Sequence, residues 1–274
     1  MSKNLYTGKY EGMQLYMEKF KHVKVWRMKD ETKESYPDKI YLIQQFFIHG
    51  NAERRKEMNY CLKENIKLVQ SGILTEFILL NEKMYSPKEM NLSEHEFKMI
   101  RQVNIDKRLK YKMVMDFVDK ERKSGKMNGY VVLSNSDIFL DKSLLKLQKS
   151  CLSLKPSWYC LLRFEYRGEK RLGKCRLFGP RQDSQDTWCF HTNFIDKYAD
   201  INTTVQNQKL DLDFELGRPG CDNRLPFVLA YHSILLYNEP WKIKTYHYHK
   251  QPVSERDYKL PLVPQPYLFL MPIL

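Results

Sequence analysis

The sequence predicts an α/β fold in a single domain, with a central mixed, mostly parallel sheet flanked by helices. Three observations predict it. The run IYLIQQFFI, Ile40 to Ile48, is an apolar stretch of strand length, the kind expected of a strand covered on both faces. Strand, helix and strand signals then follow within about forty residues, the dimensions of a βαβ unit. Strand and helix signals alternate in the first half of the chain and become mixed in the second, which adds antiparallel strands to a parallel core.

Residues 1–38 are polar, mixed in charge and without sustained periodicity, so they read as an N-terminal extension to a domain spanning 39–251. After Ile48, HGN makes a turn in which Asn51 can cap a helix. Met58, Cys61, Leu62, Ile66 and Val69 recur at helical spacing, and Ser71-Gly72 supplies the stop. TEFILL, Thr75 to Leu80, is the second strand, and Ser86 to Glu96 is polar loop. Leu109, Met113, Phe117 and Val118 mark a second amphipathic helix that ends near Ser124-Gly125. YVVLS, from Tyr130, is the third strand, and Asp141 is placed to cap a short helix carrying Leu144, Leu145 and Leu147. WYCLLRF, TWCFH and WKIKTYHYH read as later strands, with one more helix from about Asn223 to Leu236. The last 23 residues, 252–274, carry five prolines and read as an extended tail wrapped over the body.

With 42% apolar, 13% aromatic and 29% charged residues over 274 positions, the chain can bury a sizeable core and does not read as disordered. The start of the sequence lacks an apolar segment of the signal type. The longest nearly apolar run, LPFVLAYHSILLY, is interrupted by His232 and Ser233 and falls short of the ~20 residues of a membrane span. The six cysteines include no CxxC pair, and four lie in apolar stretches, which suits reduced, buried thiols in the cytoplasm. The net charge of +13 favours an anionic partner: nucleic acid, an acidic membrane surface or phosphorylated small molecules. Part of it is concentrated in two stretches, Lys107 to Lys126 and Arg163 to Arg181, each equally readable as a solvated basic face. A basic nucleic-acid-binding module is therefore the alternative function. Aromatic and basic residues do not interleave in an RNP-like or helix-turn-helix pattern, which counts against nucleic acid.

Ligands of open α/β sheets bind at the carboxyl ends of the strands, and Asn135, Ser136 and Asp137 follow such an end. Asp137 either holds a divalent cation there or caps a turn. His247 and His249, two apart, share a face if their segment is extended, as two metal ligands or as one core and one surface histidine. In FGPRQDSQDTWCF, Asp183 and Asp186 precede a strand. In LGRPGCDNRLPF, Asp222 follows a glycine-rich turn and opens a helix, either as its cap or as a carboxylate presented to a cleft, where it can deprotonate a hydroxyl. There is no Walker A loop and no GxGxxG; Arg108 and Lys110 precede a helix from which they could reach a diphosphate, or are surface charges.

The ordered segments IYLIQQFFIHGNAERR, ILLNE, RLKY, LSNSDIFLD, LLRFEY, FGPRQDSQDTWCF, LGRPGCDNRL and IKTYHYHK resemble glycosyltransferases of the GT-A type, a Rossmann-like fold. More narrowly, they are similar to small nucleotide-sugar-dependent transferases of large DNA viruses and their bacterial relatives. The resemblance implies transfer of a sugar from a UDP- or GDP-sugar donor to a glycan or glycoprotein acceptor, in the cytoplasm, or the host cytoplasm if the chain is viral. It also implies manganese or magnesium at a DxD-like motif, which assigns metal binding to Asp137 with His249 or His247. Arg108 then corresponds to a donor phosphate contact, with Asn135, Ser136, Arg163 and Arg181 beside it. Asn135 departs from the motif's first aspartate. Asp222, ahead of Asp186, takes the catalytic carboxylate's place if the reaction inverts the anomeric centre, while an inactive transferase-like binding subunit is a further alternative.

Overall fold

The structure is a computed structural model that describes residues 38–205, 207–250 and 261–273. The expected N-terminal extension lies outside the described residues except for Asp38, as does the start of the expected tail. Strand β1 (Lys39–Gln44) is buried beyond its first residue because helices cover both its faces. The two-residue alternation of a strand sends Tyr41 and Ile43 into one core layer and Ile40 and Leu42 into the other. Helix α1 (Ala52–Gln70) starts at Asn51, whose side-chain oxygen accepts from the amides of Glu53 (2.8 Å) and Arg54 (3.2 Å). It stops at Ser71, with Gly72 in the left-handed region at φ 73°. Its inner stripe is Met58, Cys61, Leu62 and Ile66, the spacing that predicted it.

Strands β2 (Glu76–Asn81), β3 (Ile100–Asn104) and β4 (Gly129–Ser134) complete the first half, with helix α2 (Tyr111–Lys123) between β3 and β4. YVVLS is thus the fourth strand, because Ile100–Asn104 forms an additional one. Beyond it lie β5 (Ile138–Leu140), β6 (Ser157–Leu161), β7 (Phe164–Tyr166), β8 (Arg176–Leu177), β9 (Thr187–His191), β10 (Asn202–Val205), β11 (Gln208–Asp211), helix α3 (Cys221–Tyr231), β12 (Leu235–Tyr237) and β13 (Thr245–Tyr248). WYCLLRF divides between β6 and β7, and only TYHY of WKIKTYHYH is strand. The expected helix to Leu236 ends at Tyr231, where Ser233 turns the chain at φ 60° and the following residues enter β12.

Seven strands form the central sheet in the order β3-β2-β1-β4-β9-β6-β12. Every neighbouring pair is parallel except the two that β9 makes with β4 and β6. This is the mixed, mostly parallel sheet that the sequence predicts. Helices α2 and α3 cover one face, where Val114, Met115, Val118, Leu225 and Leu229 pack with Val131, Leu133 and Trp188. Helix α1 and the 3-10 segment Lys142–Lys149 cover the other. Asp141 caps that segment by accepting the amide of Ser143 at 2.8 Å, and Leu144 and Leu147 enter the core while Leu145 is exposed. All six cysteines are buried free thiols.

A smaller sheet, β5-β13-β7-β8, stands at the edge of the large one. The chain leaves β4 at Ser134, turns through Asn135, Ser136 and Asp137, and enters β5 at Ile138. Gln44 and Asn65 hold this turn: the Gln44 amide donates to Ser134 Oγ (2.8 Å) and to the carbonyls of Asn135 (2.8 Å) and Ile138 (3.1 Å), and Asn65 donates to the Ile138 carbonyl at 3.0 Å. Residues 261–273 lie against α3 and the loop before β9, tied by backbone bonds from Leu268 to Asn223 (3.0 Å) and from Leu270 to Gln182 (3.0 Å).

Candidate active site

The carboxyl ends of parallel β4 and β6 and the beginning of antiparallel β9 meet on one edge, since an antiparallel strand starts where its neighbours end. Ser134 and Leu161 both pair with Thr187, so Asn135, Arg163 and Asp186 emerge together. Asn135 is bound to Asp186 twice, by its amide to the Asp186 carbonyl (3.1 Å) and by its side-chain nitrogen to Asp186 Oδ1 (3.0 Å). The small sheet supplies the rest by register. His247 lies between Ile138 of β5 and Glu165 of β7, so it faces Asp137, next to Ile138, on one side and Glu165 on the other. His249 is two residues on and lies beside it, with 5.3 Å between ring centres.

The result is a chain of charges. Arg54, in the first turn of α1, donates from Nη2 to Asp137 Oδ2 (2.6 Å) and from Nη1 to Glu57 (2.5 Å), with His249 Nδ1 at 2.9 Å. His247 Nε2 meets the same Asp137 oxygen at 3.1 Å, and its Nδ1 is 3.5 Å from Glu165. Arg163 joins Glu165 (2.8 Å), Ser184 (3.0 Å) and Asp186. Burial alone would raise the pKa of Asp137, but His247 and Arg54 hold it well below the carboxylate range. Glu165 is likewise pushed by burial yet drawn down to about 2 by His247 and Arg163. Burial disfavours a charged His247, and Asp137 and Glu165 outweigh that, so its pKa rises.

Asp222 behaves in the opposite way. It lies in the first turn of α3 but is not the cap: Gly220 occupies that position at φ 86°, where a Cβ would also stand 2.7 Å from Tyr267 Oη. Partly buried, Asp222 has its pKa raised to about 7, first by desolvation and then by the charge of Asp186. The Asn223 side-chain amide donates to Asp222 Oδ1 at 3.3 Å. A carboxylate that changes protonation near neutrality beside others that stay ionised is the arrangement general acid–base chemistry uses.

The other expected contacts are distributed differently. Arg163 is 6% exposed; its Nε donates to Glu165 and its Nη1 to Ser184 and Asp186, so it positions carboxylates. Its guanidinium lies 4.0 Å from the Phe178 ring centre, and that of Arg181 lies 4.6 Å from the same centre. Arg181 is bound to Asp183 through two nitrogens, at 2.7 and 2.8 Å. Arg108 is 3.7 Å from Glu215; Gly217, at φ 70°, leaves room between its Nη2 and Asn135 Oδ1. Lys110 pairs with Asp213 at 3.0 Å, and Ser136 sits partly buried at the centre of the turn. The structure therefore brings Asn135, Asp137, His247, His249, Arg163, Asp186 and Asp222 to one edge. The sequence reading missed Arg54, Glu57 and Glu165. Arg54 follows the cap Asn51 beyond a strand's carboxyl end, the same rule that selected Asn135, and Glu165 stands two residues after Arg163.

The fit of a divalent ion can be judged from the donors. Ionised Asp137 can only accept, so His247 Nε2 must carry the proton between them and has no lone pair to offer. A guanidinium can only donate, so the Nδ1 lone pair of His249 already receives Arg54. Asp137 Oδ2 serves both cations. Among the described residues no group of three or more His, Cys, Asp or Glu is arranged to hold a metal. The residues expected to bind metal converge, but around an arginine, and this arrangement does not fit a resident divalent ion.

No family model and no curated protein matches the chain. Among solved structures it is similar to a 4-diphosphocytidyl-2C-methyl-D-erythritol synthase, at 11% identity and TM-score 0.38, over 61% of this chain and 79% of that one. It is also similar to a candidate nucleotide-diphospho-sugar transferase from Desulfovibrio desulfuricans G20, at 10% identity and TM-score 0.37, over 73% and 78% of the two chains. A third is a candidate glucose-1-phosphate thymidylyltransferase from Bacillus anthracis in complex with sucrose, at 8% identity and TM-score 0.38, over 73% and 85%. Likenesses of this degree carry no argument about chemistry, and the fold rests on the strand order described above.

Proposed function

We propose that the chain is a nucleotide-sugar-dependent glycosyltransferase that moves a sugar from a nucleoside diphosphate to a hydroxyl of a glycan acceptor, with inversion. The observation that supports it most is the pairing, on one sheet edge, of a carboxylate fixed in its charged form among cations with one whose pKa is about 7. Asp222 takes the proton of the acceptor hydroxyl as that oxygen attacks the anomeric carbon. Half of it is ionised near pH 7, which matches the requirement that a base be both free and strong enough. Asp186, positioned by Asn135 and Arg163, lies close enough for its charge to raise the basicity of Asp222. The leaving diphosphate gains negative charge, which the cations on this edge, Arg54 and Arg108, stabilise by charge-assisted hydrogen bonds.

The test is a panel of UDP- and GDP-sugars assayed for nucleoside diphosphate release and for a rise in melting temperature. At least one donor should stabilise the protein and be turned over slowly, with turnover lost in Asp222→Asn while donor stabilisation persists. A panel with no stabilising and no reacting donor would defeat this reading, and a polynucleotide control in the same screen addresses the basic-module alternative.

A further inference from the structure

We propose that Arg54 is the diphosphate-binding cation of this site, standing on Asp137 where a divalent ion would otherwise stand, so that a nucleoside diphosphate binds without metal. The ligand class rests on the nucleotide-sugar reading above; the cation rests on geometry. Arg54 Nη1 is engaged by Glu57 (2.5 Å) and His249 (2.9 Å), and Nη2 by Asp137 (2.6 Å). Of a guanidinium's donors, that leaves Nε–H and the second hydrogen of Nη2 with no partner among the described residues. The side chain is 19% exposed and Asp137 18%, so the pair opens to solvent at the carboxyl end of β4 while Glu57, at 3%, and His249, at 7%, close it from beneath.

Two free N–H groups on one planar fork are the geometry that matches two phosphate oxygens. The buried carboxylates and His249 hold the fork in one orientation before the ligand arrives, so little of its freedom is lost on binding. The same contacts exclude a metal in a specific way. The lone pairs a divalent ion needs on Asp137 Oδ2 and His249 Nδ1 receive Arg54, and His247 Nε2 presents a proton. Without the guanidinium, Glu57, Asp137 and His249 Nδ1 would face one vacated volume and could close on an ion there, two carboxylates and an imidazole being ligand types that manganese takes. Arg54 therefore decides whether this cluster is a phosphate site or a metal site.

The test has two arms on the full chain. In the first, UDP and GDP are titrated calorimetrically in excess chelator and again in manganese. The expected result is the same affinity within about threefold in both buffers, and at least a tenfold loss in Arg54→Lys, which keeps the charge but not the fork. Binding that requires manganese overturns the proposal and leaves the nucleotide reading standing. In the second arm, manganese is titrated into nucleotide-free protein and followed by electron paramagnetic resonance of the free ion. The wild-type chain should take up none, and Arg54→Ala should gain one site per chain. Uptake by the wild type, or none by a folded Arg54→Ala, overturns the proposal. If Arg54→Ala does not fold, Arg54→Gln replaces it in this arm. If neither nucleotide binds in either buffer, the nucleotide reading fails, and the second arm alone decides for or against Arg54 as the occupant of the ion position.

Discussion

Asp137 and Asp222 lie at the two ends of one charged edge and have opposite fates. Asp137 sits between Arg54 and His247 at hydrogen-bonding distance and stays ionised, and Glu165 next to it is drawn down to about 2. Asp222 has a carboxylate, Asp186, as its charged neighbour and is raised to about 7. Both sit in low-dielectric surroundings, so burial pushes both up, and the partners decide the outcome. The side where cations bond the carboxylate directly can hold an anion but cannot take a proton; Asp222, with no cation hydrogen-bonded to it among the described residues, can. The difference assigns binding to one end and base chemistry to the other.

The largest expected effect comes from removing the base. Asp222→Asn should lower transfer by about 10²–10⁴-fold, measured as product formation at saturating donor and acceptor. Breaking the link between the two ends comes next. Arg163→Leu leaves Glu165 and Asp186 without their shared cation and should cost about 3–5 kcal/mol in urea unfolding. It should also raise the pKa of Asp222 further, because Arg163 pulls it down.

The pH dependence of stability separates the two ends by sign. Asp222 holds its proton in the folded state up to about 7, above its unfolded value. Between the unfolded and folded pKa values the native state binds the extra proton, so stability falls as pH rises through that window. Asp222→Asn removes this, and its advantage over wild type in urea should grow from pH 4 to pH 8, reaching on the order of 2 kcal/mol after allowance for partial solvent access. Asp137 and Glu165 act the other way: their stabilisation is complete above the unfolded carboxylate range and is lost as pH falls below it, for Glu165 toward about 2. The smallest effect tests the support of the Asp137 end. Asn51→Ala removes the cap of the helix that carries Arg54 and should cost about 1 kcal/mol by thermal melting, without moving the Asp222 titration.

Much of the fold was legible because it depends on local pattern. The stripe Met58, Cys61, Leu62 and Ile66, the caps Asn51 and Asp141, and the Ser71-Gly72 stop are each fixed within a few residues of chain. Strand β3 was not legible, since its residues IRQVN alternate only weakly and all sit half-buried or exposed at the sheet's edge. Strand β12 follows α3 after a turn set by Ser233, so its leucines continue the helix's apolar run and read as part of it. In the site, Asp137, His247, Asp186 and Asp222 could be selected as chemistry-bearing residues near strand or helix ends. Their partners could not, because Arg54 meets Asp137 through the packing of α1 on β5, and Glu165 meets His247 through the pairing of β13 with the very short strand β7. Such registers are set by tertiary packing and leave little trace in periodicity. The assignment of Asp222 also turned on this level: its cap position belongs to Gly220, and its pKa is raised first by burial and then by a neighbour 36 residues earlier in the chain, Asp186.

The contrast between the two carboxylates is open to direct observation by carbon NMR of the protein labelled at aspartate side-chain carboxyls, titrated from pH 3 to pH 9. One aspartate is expected to titrate near 7, lost in Asp222→Asn, while the Asp137 resonance, identified through Asp137→Asn, stays at its ionised position down to the acid end of the titration. An Asp222 that titrates in the ordinary carboxylate range, or an Asp137 that protonates there with it, would contradict the division of binding and base between the two ends.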